Sequence, residues 1–443
     1  MTSYLAEHAW LPSGVVRDVR ILVDDSRITA IDGETSRRPG DVPVAGLVLP
    51  GFANTHSHAF HRALRGRTHD GSATAADTFW SWRQAMYAIA GRLDPDSYLA
   101  LATATFAEMA LAGVTSVGEF HYLHHARGGL RYADPNAMGQ ALIQAADQAG
   151  IRITLLDSCY LTGGLTSDGP IPLSGEQLRF GDGSVDAWAE RVSALRDGER
   201  VRIGAAIHSV RAVPAEAIPV VAAAGANRAL HMHLSEQPVE NEQCLAAYGT
   251  TPTALLHQYG ALGVGRTAVH ATHLTDGDIT VLGDTGTGIS MSPTTERDLA
   301  DGIGPARRLL DAGSPITLGS DQHAVIDLLE EARALEMDER LASGRRVRFT
   351  PAELVEALTA AGQRSLGWED AGMILPGSRA DLVAIRLDST RTAGSAAEQA
   401  ILAATAAEVH TVIADGRVIV RDGAHVLGDV GRLLAEAIAP LWE

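Results

Sequence analysis

Residues 47–60 read LVLPGFANTHSHAF, and this stretch decides the fold. An apolar run, 47–54, ends in the string Thr-His-Ser-His. In an extended chain residues two apart point the same way, so His56 and His58 can face one point together. Seven more short apolar, β-branched runs follow, at 115–120, 151–159, 201–208, 228–234, 266–270, 288–292 and 315–320, with polar clusters and helix-like stretches between them. Such alternation predicts parallel strands joined by crossover helices. Eight units predict an α/β fold, a closed (β/α)8 TIM-like barrel rather than an open sheet. One crossover helix is plain at 98–112, YLALATATFAEMALA, rich in Ala and Leu and followed by Gly113.

The two ends read differently. Residues 15–31 hold two strand-like stretches around Asp24 and Asp25, and strand-like runs recur at 382–387, 410–413 and, past the turn Asp415-Gly416, 418–420. These predict a small β-sandwich built from both chain ends, with residues 1–48 and 373–443 flanking a barrel at 49–372. Residues 389–398, polar and small, read as a loop.

Composition narrows the chemistry. Thirty-six basic residues against fifty-four acidic ones give a net charge of −18, which repels nucleic acid and anionic lipid, so neither is an expected partner. An anionic substrate would have to be caught by arginines placed in the site. Every basic residue is Arg. The absence of Lys excludes a Schiff-base lysine, a Walker-type P-loop and a metal pair bridged by carbamylated lysine, so a mononuclear site is favoured. Cys159 and Cys244 alone make neither a disulfide framework nor a Cys-rich zinc site. The first residues lack a signal-peptide pattern and no run of 18 apolar residues occurs, so a cytoplasmic protein is expected.

The candidate ligands fall at strand ends, where barrel enzymes place their sites. His56 and His58 follow the first run, His231 and His233 close the fifth, and Asp321 follows the eighth in GSDQH. Nitrogen donors with one carboxylate and an open position suit catalytic Zn2+, with Fe2+ or Mn2+ as alternatives. Taken singly, an HxH string is common and Gly-Ser-Asp is more often a turn or helix cap. Their conjunction with His270 at the end of the sixth run is what points to a metal. Glu236, three residues past His233, is placed to move a proton, and His270 to stabilise the attacking water or developing charge; Asp321 could share the proton.

On PGFANTHSHAF, HMHLSEQ, VHATHLT and GSDQH the chain resembles the amidohydrolase superfamily, in the branch that deaminates C–N bonds with one metal. The resemblance implies His56, His58, His233 and Asp321 as ligands. Its His-x-x-Glu pattern selects His233 with Glu236 and leaves His231 lining the barrel below. It also implies a homodimer. The strings THSHAFHRALRG, FWSWR, EFHYLHH, HSVRAV and SPTTERDLADGIG resemble formimidoylglutamate deiminases of histidine degradation, which implies a small-molecule substrate with two carboxylates. On that resemblance Arg83 and Arg211 grip carboxylates, Tyr122 adds a hydroxyl, and His208 orients the formimino group. His61 stands in HAFHR where the resemblance leads one to expect Gln, and an imidazole lacks the amide's paired donor and acceptor. The stretch 66–90, with Trp80 and Trp82, is expected to wall the site. The rival readings are a deaminase or hydrolase of purine, pyrimidine or triazine rings, disfavoured by an aromatic content of 5%, and a non-catalytic scaffold, disfavoured because the ligands and Glu236 are all present.

Overall fold

A computed structural model of the protein describes residues 1–33, 35–69 and 79–443. Eight parallel strands pair in chain order: β1 (Phe52–Ser57), β2 (Val114–His121), β3 (Arg152–Cys159), β4 (Val201–Ile207), β5 (Leu230–Leu234), β6 (Arg266–His270), β7 (Gly288–Met291) and β8 (Ile316–Leu318). Every residue of β2, β3 and β5 is buried, as strands walled by helices outside and side chains inside require. The barrel closes at its upper rim. Ser57 bridges to Asp321 in parallel, Asp321 N donates to His56 O at 2.9 Å, and His58 N donates to Asp321 O at 3.2 Å. Closure therefore carries Asp321, three residues past β8, against His56 in β1 and His58 just beyond it.

The helix Pro95–Leu111 follows from local chemistry. Asp94 caps it, accepting from Ser97 N at 2.8 Å, and Pro95 occupies the first turn, where its missing N–H costs nothing. Its buried face, including Leu101, Ala104 and Phe106, packs on the barrel.

The run 47–54 proves to straddle two strands. Val42–Pro50 belongs to a second sheet, and only Phe52 onward enters the barrel. The break falls at Gly51, where a Cβ would lie 2.3 Å from Thr115 Oγ1 and 2.7 Å from the Asp381 Cβ, so no side chain fits. The chain ends form one continuous eight-stranded sheet, ordered Ala424–His425, Arg417–Arg421, Val409–Ala414, Leu382–Ile385, Val42–Pro50, Thr2–Leu11, Gly14–Asp24, Arg27–Asp32. It encloses its own apolar cluster, with Tyr4, Ile21, Val48, Leu382 and Ile413. The strand Thr2–Leu11 has no counterpart in the sequence reading. Its inward positions include the small Ala6 and Ala9, weak strand formers, and its pairing with Val42–Pro50 is long-range.

A buried charge network ties this sheet to the barrel floor. Arg152, at the start of β3, donates Nη1 to Asp381 at 3.0 Å and to Asp415 at 2.8 Å, and Arg379 reaches Asp415 at 2.8 Å. Removing one partner of such a buried set costs about 3–5 kcal/mol, because the other charge stays behind unpaired. Among the described residues no helix is long and apolar enough to cross a membrane.

Candidate metal centre and substrate pocket

Four donor atoms converge at the C-terminal mouth of the barrel. His56 Nε2 lies 3.1 Å from His233 Nε2 and 3.2 Å from Asp321 Oδ1, which is 3.4 Å from His58 Nε2. Bonds of 2.0–2.1 Å to a shared metal would separate donors by roughly 3–3.5 Å, so the spacing fits. Hydrogen bonding fits too. His58 Nδ1 donates to Phe120 O at 2.9 Å and His233 Nδ1 to His208 O at 2.8 Å, which leaves each Nε2 with its lone pair facing the cluster. Burial holds all three imidazoles below their ordinary pKa, in the neutral form that ligates. His231 points elsewhere, its Nε2 3.1 Å from Ser365 O.

The strand ends here are bent into unusual conformations. Ser235, His270, Ala271, Asp321 and His323 all have positive φ, between 41° and 68°, without being glycine. Such residues cost of order 1–3 kcal/mol each and cluster at functional sites. Under the cluster, Glu119 near the end of β2 accepts from Ser57 Oγ at 2.5 Å and Ala59 N at 2.7 Å, clamping the chain on either side of His58. Burial pushes the Glu119 carboxyl up to about 8. His323 reaches Ser57 and Ser320 from the other side.

Glu236 and His270 sit beside the four donors. His270 Nε2 is 3.7 Å from Glu236 Oε1 and 4.0 Å from Asp321 Oδ2, and its Nδ1 is 3.6 Å from Glu296 Oε1. Burial pulls the imidazole's pKa down, but Glu236, Glu296 and Asp321 outweigh it and raise it to about 10. Burial raises the pKa of Glu236, while His270 and Arg211 pull it back. A carboxyl held above its usual range beside an imidazolium can accept a proton and return it.

These groups form the floor of a cavity of about 240 Å³. The structure brings His58, His61, Arg83, Tyr122, His208, Arg211, His233, Glu236, His270 and Asp321 to its lining; His56 lies behind them, fully buried. Two of them face each other rather than standing free, since His61 Nε2 and Tyr122 OH bond at 2.9 Å. His208 pairs through Nδ1 with Ser209 Oγ at 3.3 Å. Arg211 is partly engaged, giving Nε to the fully buried Glu240 at 3.1 Å. Arg83 has only aromatic and phenolic neighbours among the described residues: it donates Nε to Tyr87 OH at 2.6 Å and lies over the Trp80 and Tyr87 rings.

The helix Phe79–Ala90 supplies one wall, as expected for the stretch 66–90; residues 70–78 of that stretch lie outside the described residues. The low aromatic content does not disfavour a ring substrate. Phe79, Trp80, Trp82, Tyr87, Tyr122, Tyr160 and Phe180 gather in this one cavity, so the chain's few aromatics are concentrated where they can meet a ligand. Sequence reasoning also missed Glu119, Tyr160, Glu240 and Glu296. Glu119 and Tyr160 stand at the C-terminal ends of β2 and β3, a position that carried a usable signal. Glu240 and Glu296 sit on helices, Pro238–Tyr248 and Pro293–Asp298, and look like ordinary surface acids until folding buries them.

Fold and site together define a metal-dependent hydrolase of the barrel type, and residues 47–419 match the amidohydrolase family, to which the chain belongs. Formimidoylglutamate deiminase from Pseudomonas aeruginosa is 35% identical over 441 residues, covering 96% of each chain. An 8-oxoguanine deaminase from the same organism is 31% identical over 436 residues, covering 94% of this chain and 92% of its own. Among solved structures, an amidohydrolase from Brucella melitensis superposes with a TM-score of 0.91 at 28% identity and full coverage of both chains. The protein is thus a hydrolase acting on C–N bonds.

Proposed function

We propose that the protein hydrolyses N-formimino-L-glutamate to N-formyl-L-glutamate and ammonia, with one zinc ion held by His56, His58, His233 and Asp321. The observation that carries this reading is Arg83, a guanidinium lining the cavity with no carboxylate partner among the described residues. The Arg83 side chain is partly exposed, and a guanidinium set in a cavity among aromatic rings is well placed to take a carboxylate, which here the substrate would supply. Arg211, with Nη2 3.9 Å from Glu236, stands nearer the reacting groups and suits the second carboxylate. The 35% identical relative named for this activity supports the same substrate.

A divalent metal in the cluster supplies a Lewis acid and lowers the pKa of water from 15.7 toward about 7. The chain's own residues do the rest. Glu236 takes a proton from the attacking water, which adds to the formimino carbon. His270, as imidazolium, donates toward the oxygen as negative charge builds on it. Glu236 then hands that proton to the amino nitrogen, the remaining hydroxyl proton passes to Asp321 as the C–N bond breaks, and the oxygen stays behind as the formyl carbonyl while ammonia leaves. His208 lines the cavity where it can orient the formimino group. The His61–Tyr122 pair fills the place of the expected amide, presenting a hydroxyl and a ring instead.

A second reading has one specific observation in its favour: the aromatic walls would stack a purine or pyrimidine, and the 8-oxoguanine deaminase is a relative. Arg83 separates the two. Arg83→Met is expected to raise KM for N-formimino-L-glutamate by about tenfold or more while kcat changes little, the loss of a charge-assisted bond made equally in ground and transition states. An unchanged KM would remove the dicarboxylate reading.

A further inference from the structure

Arg83 is carried into the cavity by the helix Phe79–Ala90, and that helix is held by a segment far along the chain. The 3-10 turn Gly175–Arg179, in the loop beyond β3, places two buried side chains against it. Gln177 reaches its flank: Nε2 lies 3.1 Å from Tyr87 OH, 3.0 Å from Gly163 O and 3.4 Å from Tyr160 OH, while Oε1 accepts from Ser174 N at 3.4 Å. Arg179 reaches its end. It is fully buried and forms no ion pair among the described residues; instead its guanidinium donates to Ala90 O, to Leu93 O at 2.7 Å and, through Nε, to His125 O at 2.8 Å.

The Arg179 contact has a clear physical basis. The last carbonyls of a helix lack partners within it, and a cation there satisfies them and complements the helix dipole. Gln177 is more telling. A tyrosine hydroxyl oxygen accepts through two lone pairs, and both on Tyr87 are taken, one by Arg83 Nε at 2.6 Å and one by Gln177. The relay from Gln177 through Tyr87 therefore ends on the guanidinium that faces the cavity. A long, flexible side chain held by a neutral acceptor keeps its charge available while losing its freedom to swing.

We propose that the turn Gly175–Arg179 is the positioning device for Arg83, Gln177 acting through Tyr87 to aim the guanidinium and Arg179 fixing the helix that carries it. This rests on the reading that Arg83 holds a substrate carboxylate. Gln177 touches no reacting atom, so its effect belongs in substrate capture and should vanish when Arg83 is gone.

The test is a double-mutant cycle with the metal-loaded protein, using Gln177→Met and Arg83→Met singly and together. KM and kcat are measured with N-formimino-L-glutamate, and glutarate binding is measured by calorimetry so that the cycle can also be read without turnover. Gln177→Met is expected to raise KM and weaken glutarate about fivefold with kcat within about twofold, and to add nothing in the Arg83→Met background. Tyr87→Phe, which removes a single oxygen, should behave alike and carries the test if Gln177→Met does not fold. Equal losses in both backgrounds, or no loss in either, would overturn the positioning role. If Arg83→Met itself leaves KM and glutarate binding unchanged, the carboxylate reading fails first and takes this one with it.

Discussion

Glu236→Gln is expected to lower kcat about a thousandfold or more, roughly 4 kcal/mol of barrier, while the metal content of the purified protein stays the same. The amide has the shape of the carboxylate and can still reach His270 and Arg211, which lie 3.7 and 3.9 Å from the two oxygens. What it cannot do is take a proton from water and return it to nitrogen. Glu236 is not among the four converging donors, so its loss should spare the metal. KM should move little, since the lost interaction belongs to the transition state. The measurement is steady-state ammonia release beside metal analysis of the same preparation. A variant that keeps more than about a tenth of the native kcat would leave proton transfer to Asp321 or to solvent, because general acid–base catalysis is worth 10²–10⁴-fold.

Stripping the metal should abolish turnover and also loosen the fold. His56 Nε2 and His233 Nε2 stand 3.1 Å apart, and burial keeps both rings neutral. Without a cation, lone pairs and the Asp321 carboxylate crowd together out of water, an arrangement that costs several kcal/mol unless it relaxes. Binding that occurs only in the folded state stabilises by RT ln(1 + [L]/Kd), about 4 kcal/mol at a thousand times Kd. Dialysis against a chelator is therefore expected to lower the melting temperature and remove activity together, and zinc to restore both. Asp321→Ala should copy the stripped state and fail to respond to zinc. A chelated protein that melts unchanged and keeps its activity would contradict a ligand set of His56, His58, His233 and Asp321.

Much of this was legible in the sequence because it rests on short-range geometry. A period of two puts His56 and His58 on one side of an extended segment, and strand ends in a barrel share one face. The eight strands follow from alternation of apolar runs with helix-like stretches. What the sequence hid depends on contacts between distant segments. The first sheet strand, Thr2–Leu11, is recognisable only through its partners Gly14–Asp24 and Val42–Pro50. The split at Gly51 reflects the approach of Thr115, at the start of β2, and of Asp381, just ahead of the sheet strand Leu382–Ile385. Composition misled where it was used as a spatial argument: seven aromatics drawn from four segments meet in one cavity. The pairing of His61 with Tyr122, and the relay from Gln177 to Arg83, join residues 61 and 94 positions apart in the chain, and no periodicity announces either.

The most direct test of the account is ammonia release by the zinc-loaded protein from N-formimino-L-glutamate, run beside N-formimino-L-aspartate, guanine, 8-oxoguanine and cytosine. The account predicts rapid release from the glutamate compound with about one zinc per chain, weaker release from the shorter aspartate, and none from the rings. Turnover of a ring with no response to the glutamate compound would contradict it, and would make the aromatic walls rather than Arg83 the basis of recognition.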